Sequence, residues 1–312
     1  MRRSSFILGL AAAPLGLLHL PARAATKLVV SYTPTAEFGA AFVAKEQGMF
    51  AKQGLDVTLQ ALPVAPNVPA ALTSESVQIG GTTPSVILQA IDAGLDLVAV
   101  AGGGTFELKG AAAPIGVVVR KELPFSAPAE LVGKKVAVPG IGAAIHVLTR
   151  DWLMKSGVDV KQVNFVEVAI PQMPDVIKAG SVDAAAVPEP FLSRIVQAGT
   201  GVVIQAFAAS LPDGISTVIY ASTRKWAMEN ASTIKAFRAA LEEGAAVVAT
   251  QREAALQDII KYIRVPEPIL RSMPYPHVEP RLKKMQLEYW DAVLQKQAMV
   301  RKAIPLDSVI LP

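Results

Sequence analysis

Apolar residues fall into short runs that alternate with longer segments of helical spacing. The run 28–32 (LVVSY) reads as a strand. The segment 36–52 reads as a helix, because Phe38, Ala41, Phe42, Lys45 and Met49 recur at near-helical intervals. The same reading gives a strand over 55–62, a short helix over 68–74, a strand over 77–80, and a helix over 85–93 stopped by Gly94. Strands follow over 97–101 and 115–120. A second series gives strands over 135–138, 163–168, 184–187 and 202–207, with helices over 143–156, 171–179 and 190–197 between them. After a strand over 217–222 the pattern turns wholly helical, over about 225–250, 252–263, 266–273 and 278–300. Strands alternating with helices, with near-continuous apolar runs in the strands, predict an α/β protein built on mostly parallel sheets flanked by helices.

The chain carries an internal echo. KQGLDV at 52–57 resembles KSGVDV at 155–160, and SVQ at 76–78 resembles SVD at 181–183, offsets of 103 and 105 residues. Each pair marks a helix end and the entry to a strand, the first pair through Gly54 and Gly157. Two similar αβ units produce this pattern, and so does coincidence between units that share turn chemistry. The spacing predicts two lobes, one starting near 28 and one near 135, with the chain crossing between them at 115–120 and 217–222. The expected division is a leader over 1–24, one lobe from 25–118 and 216–312, and the other from 119–215.

Composition changes the picture at the N-terminus. The 312 residues carry 30 Lys+Arg against 26 Asp+Glu, a net charge of +4, and a pI near 9.2. That balance alone fits a nucleic-acid binder. However, Arg2 and Arg3, an apolar run over 6–18, and Ala22-Arg23-Ala24 form the three parts of a secretory signal. The apolar run is shorter than a membrane span. Removing 24 residues leaves 288, takes away three arginines and no acid, and lowers the net charge from +4 to +1. The basic footprint of a nucleic-acid binder goes with it. The twin arginine fits Tat export and Sec export serves equally. The sequence has no cysteine, which excludes disulfides, Cys-ligated zinc, iron–sulfur clusters, thiol catalysis and a lipoprotein anchor.

Four stretches carry a family resemblance: AKEQGMFAKQGLDV (44–57), QIGGTTPSVILQAIDAGLDLVAVAGGG (78–104), LVGKKVAVPGIGAAIH (131–146) and AGSVDAAAVPEPF (179–191). Together they resemble solute-binding proteins of the nitrate/sulfonate/taurine class, which serve ABC importers. The resemblance implies a type II periplasmic-binding fold of two αβ lobes, two crossing strands and a ligand cleft between them. It implies a periplasmic monomer that takes a small anionic organic molecule and docks on a membrane permease, without nucleic acid, metal or cofactor. A periplasmic sensor that hands its closed form to a signalling receptor is the rival binding role.

Ligands of open α/β sheets sit beyond the carboxyl ends of strands, where helix N-termini point. Four such turns are readable. The first runs from Tyr32 and Thr33 to Glu37 and Phe38, with Tyr32 and Phe38 as apolar walls. The second is Gly80 to Ser85, where Thr82, Thr83 and Ser85 offer hydroxyls and Thr83 precedes Pro84 at a helix start. The third holds Gly103 and Thr105, and the fourth holds Gly142 and Ala143. Each turn alone also reads as an ordinary Gly/Pro loop. Relatives often have Ser or Thr where Ala143 and Ala144 stand, so a donor is lost and a less polar acid fits better. His146 falls on the first turn of the next helix, as a ligand contact or as a structural histidine. Glu189 accepts from a ligand or caps the helix after Pro190. Asp213 belongs to the hinge or cleft rim. His277, among prolines, reads as loop.

Enzyme motifs are sparse. Gly140 and Gly142 mimic a dinucleotide fingerprint, but Ile145 replaces its third glycine. The sequence has no G-x-S-x-G, P-loop or H-E-x-x-H motif. The resemblance extends to pyrimidine synthases, whose His and Cys clusters are missing here. Binding without catalysis is the expectation.

Overall fold

The computed structural model describes residues 24–106, 115–207, 211–273 and 276–311. The leader expected over 1–24 lies outside them except for Ala24.

Twelve strands are present among the described residues: β1 (Thr26–Tyr32), β2 (Leu55–Ala61), β3 (Ile79–Thr82), β4 (Leu97–Gly102), β5 (Gly104–Thr105), β6 (Ile115–Arg120), β7 (Lys135–Val138), β8 (Asn164–Glu167), β9 (Ala184–Pro188), β10 (Gly201–Ala206), β11 (Ile219–Thr223) and β12 (His277–Val278). They form two five-stranded sheets and one two-stranded ribbon. The first sheet has the order β2-β1-β3-β11-β4 and the second, read from the opposite edge, β8-β7-β9-β6-β10. In each sheet three parallel strands are followed by one antiparallel strand and then a last edge strand.

The antiparallel strand is exchanged between the halves. β6, early in the chain, pairs with β9 and β10, while β11, late in the chain, pairs with β3 and β4. The expected crossings at 115–120 and 217–222 are therefore real strands of opposite sheets. β11 begins two residues later than expected because Thr217 donates instead to the Gly104 carbonyl, at 2.8 Å from both its N–H and its hydroxyl. The internal echo has a structural counterpart. β3 and β9, which follow the two echoed serines, occupy the same slot of their respective sheets.

β4 is buried along its whole length, as is β9, because helices cover both faces. β10 lies at an edge and exposes Val202 and Val203. The expected helix over 36–52 is broken into a 3-10 turn Ala36–Phe38 and helices Gly39–Glu46 and Met49–Lys52. Gly48, at φ 72°, makes the second break. The helix expected over 225–250 is likewise divided at Asn230 into Arg224–Glu229 and Ala231–Thr250.

The C-terminal expectation over 278–300 needs the largest correction. The helix covers only Met285–Lys296, and His277, expected in a loop, lies in β12 opposite Thr105 of β5. The chain is held extended there by backbone bonds from Gly102 to Pro280 and from Glu279 to Gly103, of 2.9 and 3.0 Å. A two-residue strand beside three prolines has too few positions to show a period. Trp290, fully buried on the C-terminal helix, donates its indole N–H to the Ser216 carbonyl at 2.7 Å and so ties that helix to the segment before β11.

Candidate ligand-binding cleft

The carboxyl ends of β1 and β3 in one sheet face those of β7 and β9 in the other. Between them lies a cleft with a cavity of about 50 Å³. The segment after β1 contributes Thr33, Thr35, Glu37 and Phe38, and the end of β3 contributes Thr82 and Thr83. The opposite wall is Pro139, Ala144 and Ile145 after β7, Ile170 after β8, and Pro188 at the end of β9. Pro63, Ala65, Phe106, Ile115, Thr217 and Val218 complete the lining. Ile115 and Pro188 are register partners, so the start of the crossing strand and the end of β9 meet at the floor.

Two helices begin here from opposite walls. Pro84–Asp92 follows Thr83, and Ala144–Lys155 follows Ala143. Neither N-cap residue makes a side-chain capping bond. Instead the halves bond to each other. The Ala144 N–H donates to the Thr83 hydroxyl at 3.3 Å. The Gly142 carbonyl accepts from Ser85 Oγ at 2.9 Å and from Gln89 Nε2 at 2.7 Å. Gly142, at φ 85°, turns its carbonyl toward the other half, a backbone shape that glycine adopts without strain. Its N–H donates to Nδ1 of His146 at 2.9 Å, which holds the turn from behind.

Among the described residues, no Lys, Arg or His lines the cleft. Positive potential comes from the two helix N-termini, each worth about 0.3–1 kcal/mol to a nearby anion at an exposed site. Of the threonine hydroxyls, Thr33 donates to the Leu62 carbonyl at 3.3 Å, Thr82 to Ala65 at 3.2 Å and Thr217 to Gly104 at 2.8 Å. Those hydroxyls fix loops and keep lone pairs free for a donor. Glu37 is the one ionisable side chain on the wall among the described residues. Burial pushes its carboxyl up, opposed by the Thr35 side chain and by its own backbone, and Glu189 raises it further.

Of the residues singled out from sequence, Thr33, Glu37, Phe38, Thr82 and Thr83 come together on the wall. Ser85, Gly142 and Ala143 lie one layer behind it, in the joint between the halves. Tyr32, expected as an apolar wall, instead packs edge-on against Phe42 at 4.9 Å and Tyr262 at 5.7 Å in the core. Gly103 and Thr105 support the wall through backbone pairing, Gly103 with Val218 at 3.1 Å and Thr105 opposite His277. His146 is buried, edge-on to Phe165 at 4.7 Å, and its pKa is lowered to about 4, first by burial and then by Arg150. It is thus a neutral structural acceptor. Glu189 accepts from the N–H and hydroxyl of Ser193 at 3.1 and 2.9 Å and so caps the helix Phe191–Gln197. Asp213 is exposed in a turn before β11.

Sequence reasoning missed Thr35, Pro63, Ala65, Ile170, Pro188 and Thr217. Thr35 stood inside a recognised turn, and Pro188 ends a recognised strand. Pro63, Ala65 and Ile170 sit in short 3-10 and loop segments with no period to read.

Two sheets that exchange a strand and enclose a cleft between their carboxyl edges define the two-lobed binding-protein class. The chain belongs to the NMT1/THI5-like family, whose profile matches residues 35–255, well over half its length. It is similar to a putative aliphatic sulfonates-binding protein of Escherichia coli (strain K12), 28% identical over 212 residues. That match covers 67% of this chain but only 63% of the relative's length. Among solved structures it resembles the alkanesulfonate-binding protein SsuA of Xanthomonas axonopodis pv. citri, solved bound to MOPS. The TM-score is 0.77 at 19% identity, covering 93% of this chain and 99% of that one. The periplasmic nitrate-binding protein NrtA of Synechocystis PCC 6803 matches with a TM-score of 0.75 at 15% identity, covering 91% of this chain and 85% of that one. At these identities the two structures speak for the fold.

Proposed function

We propose that this protein is the substrate-binding component of an ABC importer, exported to the periplasm, where it captures a small organic acid between its lobes. The proposed lobes follow the expected division into 25–118 with 216–312 and 119–215, after a leader of 24 residues is removed, except that all of β6, from Ile115, goes with the second sheet. The observation that carries this reading is the pair of helix starts at Thr83 and Ala144, brought from opposite halves onto one cleft and bonded across it. An anionic head group between them interacts favourably with both dipoles and with both lobes, and so favours the closed arrangement by its differential affinity. The mostly apolar lining, with Phe38, Phe106, Ile115 and Ile145, suits a carbon skeleton behind that head group.

The names of the sulfonate- and nitrate-binding relatives support an acid as ligand. In this reading the solute is released unaltered. Native mass spectrometry of the purified protein, followed by thermal shifts against alkanesulfonates, carboxylates and nitrate, tests the reading. A ligand raises the midpoint in a concentration-dependent way. Turnover of the bound compound, or no shift with any acid, overturns it.

A further inference from the structure

The helix Ala144–Lys155 is held to the other half of the molecule at a second place, one to two turns beyond the cleft. Gln297 follows the C-terminal helix Met285–Lys296 and is 6% exposed. Its side-chain amide donates to the Val147 carbonyl at 2.9 Å, and its side-chain oxygen accepts from Arg150 Nε at 2.9 Å. Lys296 pairs at 3.1 Å with the buried Asp151, whose other oxygen takes Lys155 at 2.6 Å. Residues 147, 150 and 151 share one face of their helix, because positions three and four apart are neighbours. The grip comes from a helix end that is anchored in the first half. Arg301 donates its N–H and Nε to Asp92, at the end of the helix Pro84–Asp92, at 3.2 and 3.0 Å. Between grip and anchor the backbone turns through Ala298 at φ 52°, a left-handed shape disfavoured for alanine. Bonds from Ala298 to Gln295 and from Met299 to Leu294, of 3.0 and 2.9 Å, hold it there.

A joint made of polar groups parts at little cost, because water replaces each lost bond, whereas an apolar seal would expose its surface. We propose that Gln297 and Lys296 form a catch: the C-terminal helix grips Ala144–Lys155 from outside the cleft and sets how often the halves part, whether or not a solute is present. The gripped helix acts as a rigid lever. Its start carries the Ala144 N–H bonded to Thr83, and its next two turns carry the catch. Swinging that start away from Thr83 moves Val147, Arg150 and Asp151 relative to a helix end pinned through Arg301, so the catch opens with the cleft. Its ionic part, Lys296 on Asp151, is half exposed on the lysine side and is screened by salt. The closed population therefore depends on ionic strength, through side chains that do not line the cleft.

Amide hydrogen exchange on the ligand-free protein tests this without any choice of solute. The Ala144 N–H opens its helix and has no acceptor within it, so its protection reports contact with Thr83. In Gln297→Met, which keeps the buried volume, exchange at Ala144 should quicken at least about fivefold while β6 and β11 keep their protection. Lys296→Met changes a half-exposed side chain and should fold as wild type does. It should quicken Ala144 in the same direction and abolish the acceleration that added salt produces in wild type. Unchanged exchange at Ala144 in both variants overturns the proposal, as does wild-type exchange that is indifferent to salt. Acceleration shared equally by β6 and β11 in both variants would show that these residues serve the fold as a whole, and would overturn it too.

Discussion

Gln89 and Gly142 belong to opposite halves of the molecule, and the Gln89 side-chain amide donates to the Gly142 carbonyl at 2.7 Å. Ser85 donates to the same oxygen at 2.9 Å, so one helix of the first half occupies both lone pairs of one turn in the second. Gln89 also donates to the Ser85 carbonyl one turn back, at 2.8 Å, which fixes its rotamer. These bonds exist only when the halves are together. Gln89→Ala should therefore weaken solute binding by about fivefold, equivalent to ~1 kcal/mol for one hydrogen bond. The denaturant midpoint should move little. Calorimetry and scattering on the ligand-free protein check this. Unchanged affinity together with an unchanged scattering curve would mean that the bond does not govern closure.

The two halves also pack tightly at Gly140. A Cβ there would lie 2.5 Å from Pro66 Cδ, nearer than atoms can come. Pro66 belongs to the 3-10 turn Ala65–Asn67, a rigid neighbour that cannot swing aside as a flexible side chain would. Gly140→Val should prop the cleft open. The expected outcome is affinity reduced by more than about tenfold, some 1.4 kcal/mol, with the far-ultraviolet spectrum and the cooperativity of unfolding kept. A variant that binds as tightly as wild type would show that closure does not need this contact.

The sheets were legible because apolar runs bounded by Gly and Pro leave little choice of strand, and the two crossing strands followed from the count of strands each half needs. The cleft was partly legible. Thr33, Thr82 and Thr83 stand where strands end and helices begin, which periodicity marks. Tyr32 was misplaced because alternation along β1 decides which way a side chain points. Position 32 turns toward Phe42 and Tyr262, residues 10 and 230 positions away. Glu189 lay open to two readings in sequence, and only the position of Ser193 relative to its carboxylate distinguishes them. The bonding of Gly142 to Gln89 joins residues 53 apart and leaves no local signature.

Trp290 couples the C-terminal helix to the return crossing, through full burial and its bond to the Ser216 carbonyl at 2.7 Å. Trp290→Ala should cost about 3–5 kcal/mol through lost burial and the cavity left behind. Trp290→Phe should cost less, ~1–3 kcal/mol, because it keeps most of the packing but leaves the carbonyl without its donor. Urea unfolding measures both. A Phe variant as stable as wild type would show that water replaces the indole at Ser216.

His146 supplies a pH dependence of known sign. Its Nδ1 accepts from the Gly142 N–H, which fixes the neutral ring with its proton on Nε2. Burial, then Arg150, lower its pKa from 6.5 to about 4. The unfolded chain takes up this proton near pH 6.5 and the folded chain only near 4, so the unfolded state binds more protons in between. Stability from this group is therefore complete above about 6.5 and declines as pH falls toward 4, by on the order of 3 kcal/mol in all. Glu37 and Glu189, both held above their ordinary range by burial, act in the opposite direction over part of this window. The measurement is therefore the difference between wild type and His146→Gln in urea unfolding from pH 7 to pH 4. That difference should shrink as pH falls, because the glutamine cannot titrate. Protonation also removes the acceptor that holds the Gly142 turn, so solute affinity should drop over the same interval in wild type alone. A difference that stays constant with pH would mean that the ring keeps an ordinary pKa and that the Gly142 turn is held by its bonds to Ser85 and Gln89 without it.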